Sequence, residues 1–419
     1  MARHALLIAF HYPPVRGSSG IQRTLKFSSY LLDHGWEPII LTVSPSAYEA
    51  VGDDQMGEIP VGMQVERPFS LNTARDLSFK GRYPGWLAQP DRWVSWWPAA
   101  VWRGWRVIRQ QRPEVIMSTY PIATAHLIGL TLHRLSGLPW VADCRDSMTE
   151  PGYPPDALTW RTNRRLEQHV VRHCTRAVFT TTGTLQMYSE RYPEVAPNRW
   201  AVIENGYDEE NFKGAEADLD TTPLGLQGQV TLLHSGILYP AERDPRPFFA
   251  ALRGLKAAGE VSAATLRVRL RATGSDGQYV EMLKTFGIED LVELAPPVAY
   301  RLALQEMLRA DGLLLFQAAV CNHQVPAKLY EYLRAGRPVL TLTDPVGNTA
   351  ETMRTAGVHD IVDIVDEASI TAGLRRFLVA LRAGQARGAS PEVAALNSRR
   401  ARTAELAKLL DEVAREPRR

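Results

Sequence analysis

Hydrophobic residues along this chain fall into short unbroken runs, separated by longer stretches in which apolar and polar positions recur at helical spacing. Runs rich in β-branched and aliphatic side chains predict buried strands, and the amphipathic stretches between them predict helices. In the first half, strands are predicted at Ala5–Phe10, Pro38–Val43, Val115–Thr119, Trp140–Ala142, Ala177–Thr181 and Trp200–Ile203. In the second half they are predicted at Val230–His234, Thr265–Ala272, Leu291–Leu294, Gly312–Phe316, Pro338–Leu342 and Ile361–Val365. Apolar strands alternating with helices indicate β-α units around a parallel sheet that is covered on both faces. Because the alternation runs through twice, the expected fold class is α/β, with two Rossmann-like doubly wound parallel-sheet domains facing across a cleft. The expected domains are 1–208 and 209–393, followed by a closing helix over 394–419. The polar, glycine-bearing segment Asp208 to Gln229 reads as the linker.

Composition adds bounds. At 419 residues with 45% hydrophobic and 22% charged positions, the chain is too long for one compact core and too apolar for a disordered one. No apolar run approaches the roughly 18 residues that a membrane-crossing helix needs. The first run, Ala5–Phe10, stops at His11-Tyr12-Pro13-Pro14, too short for a secretory signal, so a cytoplasmic location is expected. Cys144, Cys174 and Cys321 are widely spaced and lack a zinc-ligand pattern, so they read as free thiols in a reducing compartment. The net charge of +2 carries little information, and no nucleic-acid partner is expected. Locally, positions 80 to 176 hold 14 Arg and Lys against 7 Asp and Glu, and all ten tryptophans lie in the first 200 residues. The stretch with Trp93, Trp96, Trp97, Trp102 and Trp105 therefore has two readings: an interfacial helix on the inner face of a membrane, or an ordinary core and pocket lining.

The first predicted strand runs into His11-Tyr12-Pro13-Pro14-Val15-Arg16-Gly17-Ser18-Ser19-Gly20 and then a helical stretch from Thr24 to Leu32. Strand, glycine-serine loop and helix in that order suit a phosphate, because glycine opens the backbone and helix N-terminal amides carry positive potential. Gly17, Ser18 and Ser19 are the candidate phosphate contacts. The loop is neither GxGxxG nor a Walker A sequence, so an NTPase and a nicotinamide-dependent oxidoreductase are disfavoured, and a merely flexible connection remains the rival reading.

The string HYPPVRGSSGIQRTLKFSSYLLDHGWEPIILTV resembles the opening of the retaining glycosyltransferases grouped as family 4, which share the two-domain GT-B fold. Further segments are similar to that family: Val202-Ile203-Glu204-Asn205-Gly206-Tyr207-Asp208, His234-Ser235-Gly236-Ile237-Leu238-Tyr239 continuing to Pro247, and Val325-Pro326-Ala327-Lys328-Leu329-Tyr330-Glu331 continuing to Leu340. The pattern is nearest to bacterial cell-surface polysaccharide transferases with a Lys-x-x-Glu-Tyr segment. Two departures stand out. The family's first diphosphate-binding cation is replaced by Ile237 or Leu238, with Arg243 where its lysine partner is expected. Glu331 matches the family's ribose-binding glutamate, but His323 stands eight positions earlier, where many members carry a second glutamate.

The resemblance implies a hexosyltransferase-type enzyme that moves a sugar from a nucleotide-diphosphate sugar to a saccharide or lipid-linked acceptor, in polysaccharide or glycoconjugate synthesis. It implies retention, with the donor phosphate helping to take the acceptor proton, and neither metal nor cofactor. A departing diphosphate gathers negative charge, which cations and backbone amides must then meet. Donor-side candidates are Gly236, Arg243, His323, Gln324, Val325, Lys328 and Glu331, with Lys328 and Glu331 on one helix face. Acceptor-side candidates are Asp143, Arg145 and Asp146, at the end of a predicted strand, and His11. His126 and His133 read as structural. The residues also leave open a nucleotide-sugar epimerase on the same architecture and a non-catalytic subunit that keeps the fold.

Overall fold

The computed structural model describes residues 3–16, 20–240 and 242–416. Among these, the chain divides into two compact units: one runs to Asn205 and resumes at Arg399, and the other spans Gly206–Ser398. The division falls a few residues from the expected 208/209 boundary, and the final helix belongs to the first unit rather than standing apart.

In the first unit, β1 (Arg3–Ile8), β2 (Trp36–Leu41), β3 (Gln64–Glu66), β4 (Val115–Thr119), β5 (Trp140–Cys144), β6 (Arg176–Phe179) and β7 (Trp200–Val202) form one sheet in the order β3-β2-β1-β4-β5-β6-β7. Every pairing is parallel. Leu6 sits beside Ile39 on one side and Ile116 on the other, so the aliphatic run of β1 is shielded on all sides. β3 is an addition to the expected strands. It is only Gln64-Val65-Glu66, and a three-residue polar-flanked edge carries no hydrophobic run to signal it.

The closing helix Arg399–Ala414 drives Leu406, Leu410 and Val413 into the core of the first unit. It is also tied by charge: Arg402 pairs with Glu204, Arg400 with Asp33, and Asp411 with Arg3. Trp36, Trp96 and Trp140 are fully buried and Trp93 packs 4.5 Å from the Phe10 ring, whereas Trp97 and Trp102 on the helix Trp96–Gln111 reach solvent. Trp93 and Trp96 of the tryptophan stretch are therefore core residues, while Trp97 and Trp102 are exposed.

In the second unit, β8 (Val230–Ser235), β9 (Leu266–Arg271), β10 (Val292–Ala295), β11 (Gly312–Gln317), β12 (Val339–Thr343) and β13 (Ile361–Val362) form a parallel sheet in the order β10-β9-β8-β11-β12-β13. Apart from β7, which has no counterpart in the second unit, the two sheets have the same winding. The expected linker begins as a helix. Asp208 accepts from the Asn211 amide at 3.2 Å and caps the helix Glu209–Ala217, Phe212 is fully buried, and Arg334 grips Glu209 at 2.7 Å. The capped helix with its buried aromatic anchor takes the first half of the expected linker, and residues 218–229 run without regular secondary structure to β8. Among the described residues no helix is long and apolar enough to cross a membrane.

Candidate functional site

In a parallel sheet the residues just past the strand ends gather along one edge, so chemistry is expected there. In the first unit, β5 ends at Cys144 and the next residues are Arg145 and Asp146. Asp143 lies inside the strand and is fully buried. It is held in a two-pronged ion pair with Arg23, which donates from Nη2 at 2.8 Å and from Nε at 3.1 Å, and it accepts from Thr119 Oγ1 at 2.8 Å. Arg23 continues to the carbonyls of Ile203 and Glu204, both at 2.9 Å. Burial disfavours the Asp143 charge, but the Arg23 guanidinium outweighs it and holds the carboxyl below its usual range. Asp143 thus joins β5 to the helix Gly20–Tyr30 and to the exit from β7. The sequence alone did not point to Arg23.

Arg145 donates to the Gly20 carbonyl at 3.2 Å, and among the described residues its buried Nε has no hydrogen-bond partner. His11, just past β1, is pushed down to about 4 by burial and by the Arg145 charge, so its ring is neutral at physiological pH. Asp146 is reached by solvent, yet the surrounding protein raises its carboxyl, with Arg145 opposing. Of the acceptor-side candidates, Arg145, Asp146 and His11 share one electrostatic neighbourhood, while Asp143 is locked in structure. His126 and His133 are spent on structure: His126 Nδ1 lies 2.8 Å from Ser118 Oγ, and His133 Nδ1 lies 2.7 Å from the Leu138 carbonyl. The phosphate-loop candidates Gly17, Ser18 and Ser19 lie outside the described residues.

In the second unit, β8 leads directly into Gly236, whose φ of 114° is a conformation that side chains disfavour. A Cβ there would lie 2.9 Å from Lys328 Nζ. Lys328 opens the helix Lys328–Ala335, and no side chain caps that N-terminus. Its Nζ is 3.1 Å from His234 Nε2, and its pKa falls to about 7 because of burial and then the Arg243 charge, with Glu331 opposing. Arg243 donates to the Ile237 carbonyl at 2.8 Å and lies 5.1 Å over the Tyr239 ring; among the described residues its buried Nε has no partner. Glu331 accepts from Tyr300 Oη at 2.6 Å.

The fold therefore brings Gly236, Arg243, Lys328 and Glu331 together at the edge beyond β8. Of the segment preceding the helix, Val325 turns into the core beside Leu329, so only its backbone remains for a ligand. The Gln324 carbonyl is taken by Thr349 Oγ1 at 3.1 Å, and His323 is partly exposed. His234 and Tyr300 are additions that the sequence did not flag. Beside the same loop, a cavity of about 540 Å³ is lined by Ile237, Ala272, Gly274, Asp276 and Pro297. Among the described residues no three His, Cys, Asp or Glu side chains are grouped so as to hold a metal ion.

Residues 20–206 match the family model described as "Glycosyl transferase 4-like domain". No curated protein sequence matches the chain. Among solved structures, the chain is similar to sucrose-phosphate synthase from Thermosynechococcus elongatus, with a TM-score of 0.68 at 13% identity over 98% of this chain and 99% of that one. It is similar to HepE from Anabaena in complex with UDP and glucose, with a TM-score of 0.63 at 13% identity, covering 98% and 100%. It is also similar to WaaG, a glycosyltransferase involved in lipopolysaccharide biosynthesis, with a TM-score of 0.62 at 14% identity, covering 97% and 99%. At these identities the likenesses establish the shared GT-B fold.

Proposed function

We propose, for a glycosyltransferase whose residues 20–206 form a glycosyl transferase 4-like domain, a reaction in which a hexosyl group leaves a nucleoside diphosphate held by the second unit. The observation that carries this reading is the convergence of Lys328, Arg243 and the side-chain-free Gly236 beyond β8. Two cations beside a bare backbone suit a diphosphate, and a lysine whose charge is weakened by burial regains it when an anion arrives. Glu331 then receives the ribose hydroxyls, and the cavity beside Ile237 and Gly274 takes the nucleoside. The complex of the neighbour HepE with UDP and glucose supports a donor of that class.

The leaving diphosphate is neutralised by Arg243 and Lys328 without a metal, and the sugar is transferred with retention. On the acceptor side, Asp146 orients the attacking hydroxyl, with Arg145 beside it and neutral His11 as an acceptor. The acceptor is a saccharide or a lipid-linked saccharide presented at the cytoplasmic face of a membrane. Exposed Trp97 and Trp102, with Arg106 stacked 4.9 Å over Trp102, support that contact. Sedimentation with vesicles containing anionic lipid tests it, and a Trp102→Ala chain that sediments like the parent removes it.

The transfer reading is tested with radiolabelled nucleotide-sugars in the presence of a chelator. Lys328→Ala should lower the transfer rate by about a hundredfold to a thousandfold, the loss expected for one preorganised donor. If no nucleoside diphosphate raises the unfolding temperature of the parent chain, the donor site is misassigned.

A further inference from the structure

His234 is the last but one residue of β8, fully buried, and lies against the Phe316 ring with centroids 5.1 Å apart. Its Nδ1 is 2.9 Å from the Leu314 carbonyl oxygen. A carbonyl can only accept, so Nδ1 carries the hydrogen. Burial and the nearby Lys328 charge hold the ring neutral, far below its usual titration range. In a neutral imidazole with hydrogen on Nδ1, the other nitrogen must be an acceptor. That acceptor, Nε2, faces Lys328 Nζ at 3.1 Å. The same amine lies close to Gly236, where a methyl group would stand 2.9 Å from Nζ.

We infer that His234 is a positioning residue: the backbone carbonyl of Leu314 fixes its tautomer, and the acceptor nitrogen so created aims the Lys328 ammonium at the donor diphosphate. The inference rests on the donor-site reading above and deepens it. One Lys328 hydrogen is given to His234, leaving the others for a ligand lying over Gly236. The charged groups facing Lys328 are Arg243, from the loop after β8, and Glu331, from its own helix, with His234 on β8 neutral. The imidazole acceptor favours the ammonium form, so removing it should push the amine further towards neutrality.

Two measurements on the full chain test this. The pH dependence of Lys328 acetylation, read by mass spectrometry without ligand, reports its titration midpoint. Calorimetric titration with UDP and with inorganic pyrophosphate, from pH 6 to pH 9, reports affinity. In the parent, affinity should fall as pH rises through the Lys328 midpoint, because the anion needs the ammonium. At pH 8, paired buffers of different ionisation enthalpy should reveal close to one proton taken up per ligand bound. His234→Phe should move the acetylation midpoint to lower pH and weaken UDP by about threefold to tenfold, the value of one hydrogen bond. His234→Gln, which can present an oxygen near the Nε2 position, should recover most of both. Equal midpoints in parent and His234→Phe, or equal losses in His234→Phe and His234→Gln, would overturn the positioning role. If neither UDP nor pyrophosphate binds the parent while the acetylation midpoint still shifts as expected, the His234–Lys328 coupling stands and the donor-site reading fails.

Discussion

Replacing Arg23 by methionine would keep the aliphatic stem and delete the guanidinium. Asp143 would remain in a fully buried position, with Thr119 Oγ1 at 2.8 Å as its surviving hydrogen-bond partner among those described above. The carbonyls of Ile203 and Glu204, each now receiving an Arg23 N–H at 2.9 Å, would lose that donor too. Leaving one member of a buried ion pair uncompensated costs about 3–5 kcal/mol. That is a large part of the 5–15 kcal/mol typical of a folded domain. The assay is urea denaturation followed by tryptophan fluorescence, which reports the first unit because all ten tryptophans lie within residues 1 to 200.

The pH dependence has a determined sign. In the parent, the Asp143 carboxyl is held below its unfolded value, so its contribution is present above the unfolded pKa of about 3.9 and is lost as pH falls through the folded one. Without Arg23, burial dominates and raises the carboxyl above the unfolded value. The folded variant then binds the proton more readily than its unfolded chain, so the deficit relative to the parent narrows as pH falls towards 4. Adding Asp143→Leu should restore most of the loss, since no buried charge is left behind. A methionine variant within 1 kcal/mol of the parent at pH 7, or a double variant less stable than the single one, would refute the assignment of Asp143 to structure.

Gly236→Ala should weaken UDP by about tenfold or more, because it combines a φ of 114° with a methyl group 2.9 Å from Lys328 Nζ; calorimetric titration of a variant shown to be folded by circular dichroism measures it. Gly129→Ala should lower first-unit stability by about 1–3 kcal/mol through overpacking. Its methyl group would lie 2.8 Å from both Ser118 Oγ and Trp140 Nε1, which are already bonded to each other, and the urea midpoint reads the effect.

Elements announced by local pattern were legible from the residues alone. The aliphatic runs of β1, β4, β8 and β11 are buried throughout or nearly so, and such runs need no tertiary information to be recognised. β3 lacked that signal, and the helix Glu209–Ala217 was hidden by the polar residues that cap it and pair with Arg334. Lys328 and Glu331 were legible as a pair because three residues along a helix place two side chains on one face. Arg23 and Asp143 are 120 residues apart, and Lys328 and His234 are 94 apart, so no periodicity could join them.

What joins them is the winding of a parallel sheet, which delivers every strand end to the same edge. A finer rule follows from the strand geometry itself. Asp143 is the fourth residue of β5 and still lies within the ladder, paired in register with Thr119 and Val178, so its carboxylate needs a buried cation. Arg145 and Asp146 come after the last ladder residue, where the backbone is released and side chains can meet solvent or substrate. The same step separates His234, inside β8 and buried, from Gly236, just beyond it. In both units the polar residue inside the strand end is buried and hydrogen-bonded, and the residue just past it lies beyond the ladder, where the proposed function puts the ligand. Scanning a β-α sequence for polar residues within two positions of each strand end would therefore find both classes, and the ladder boundary would sort them.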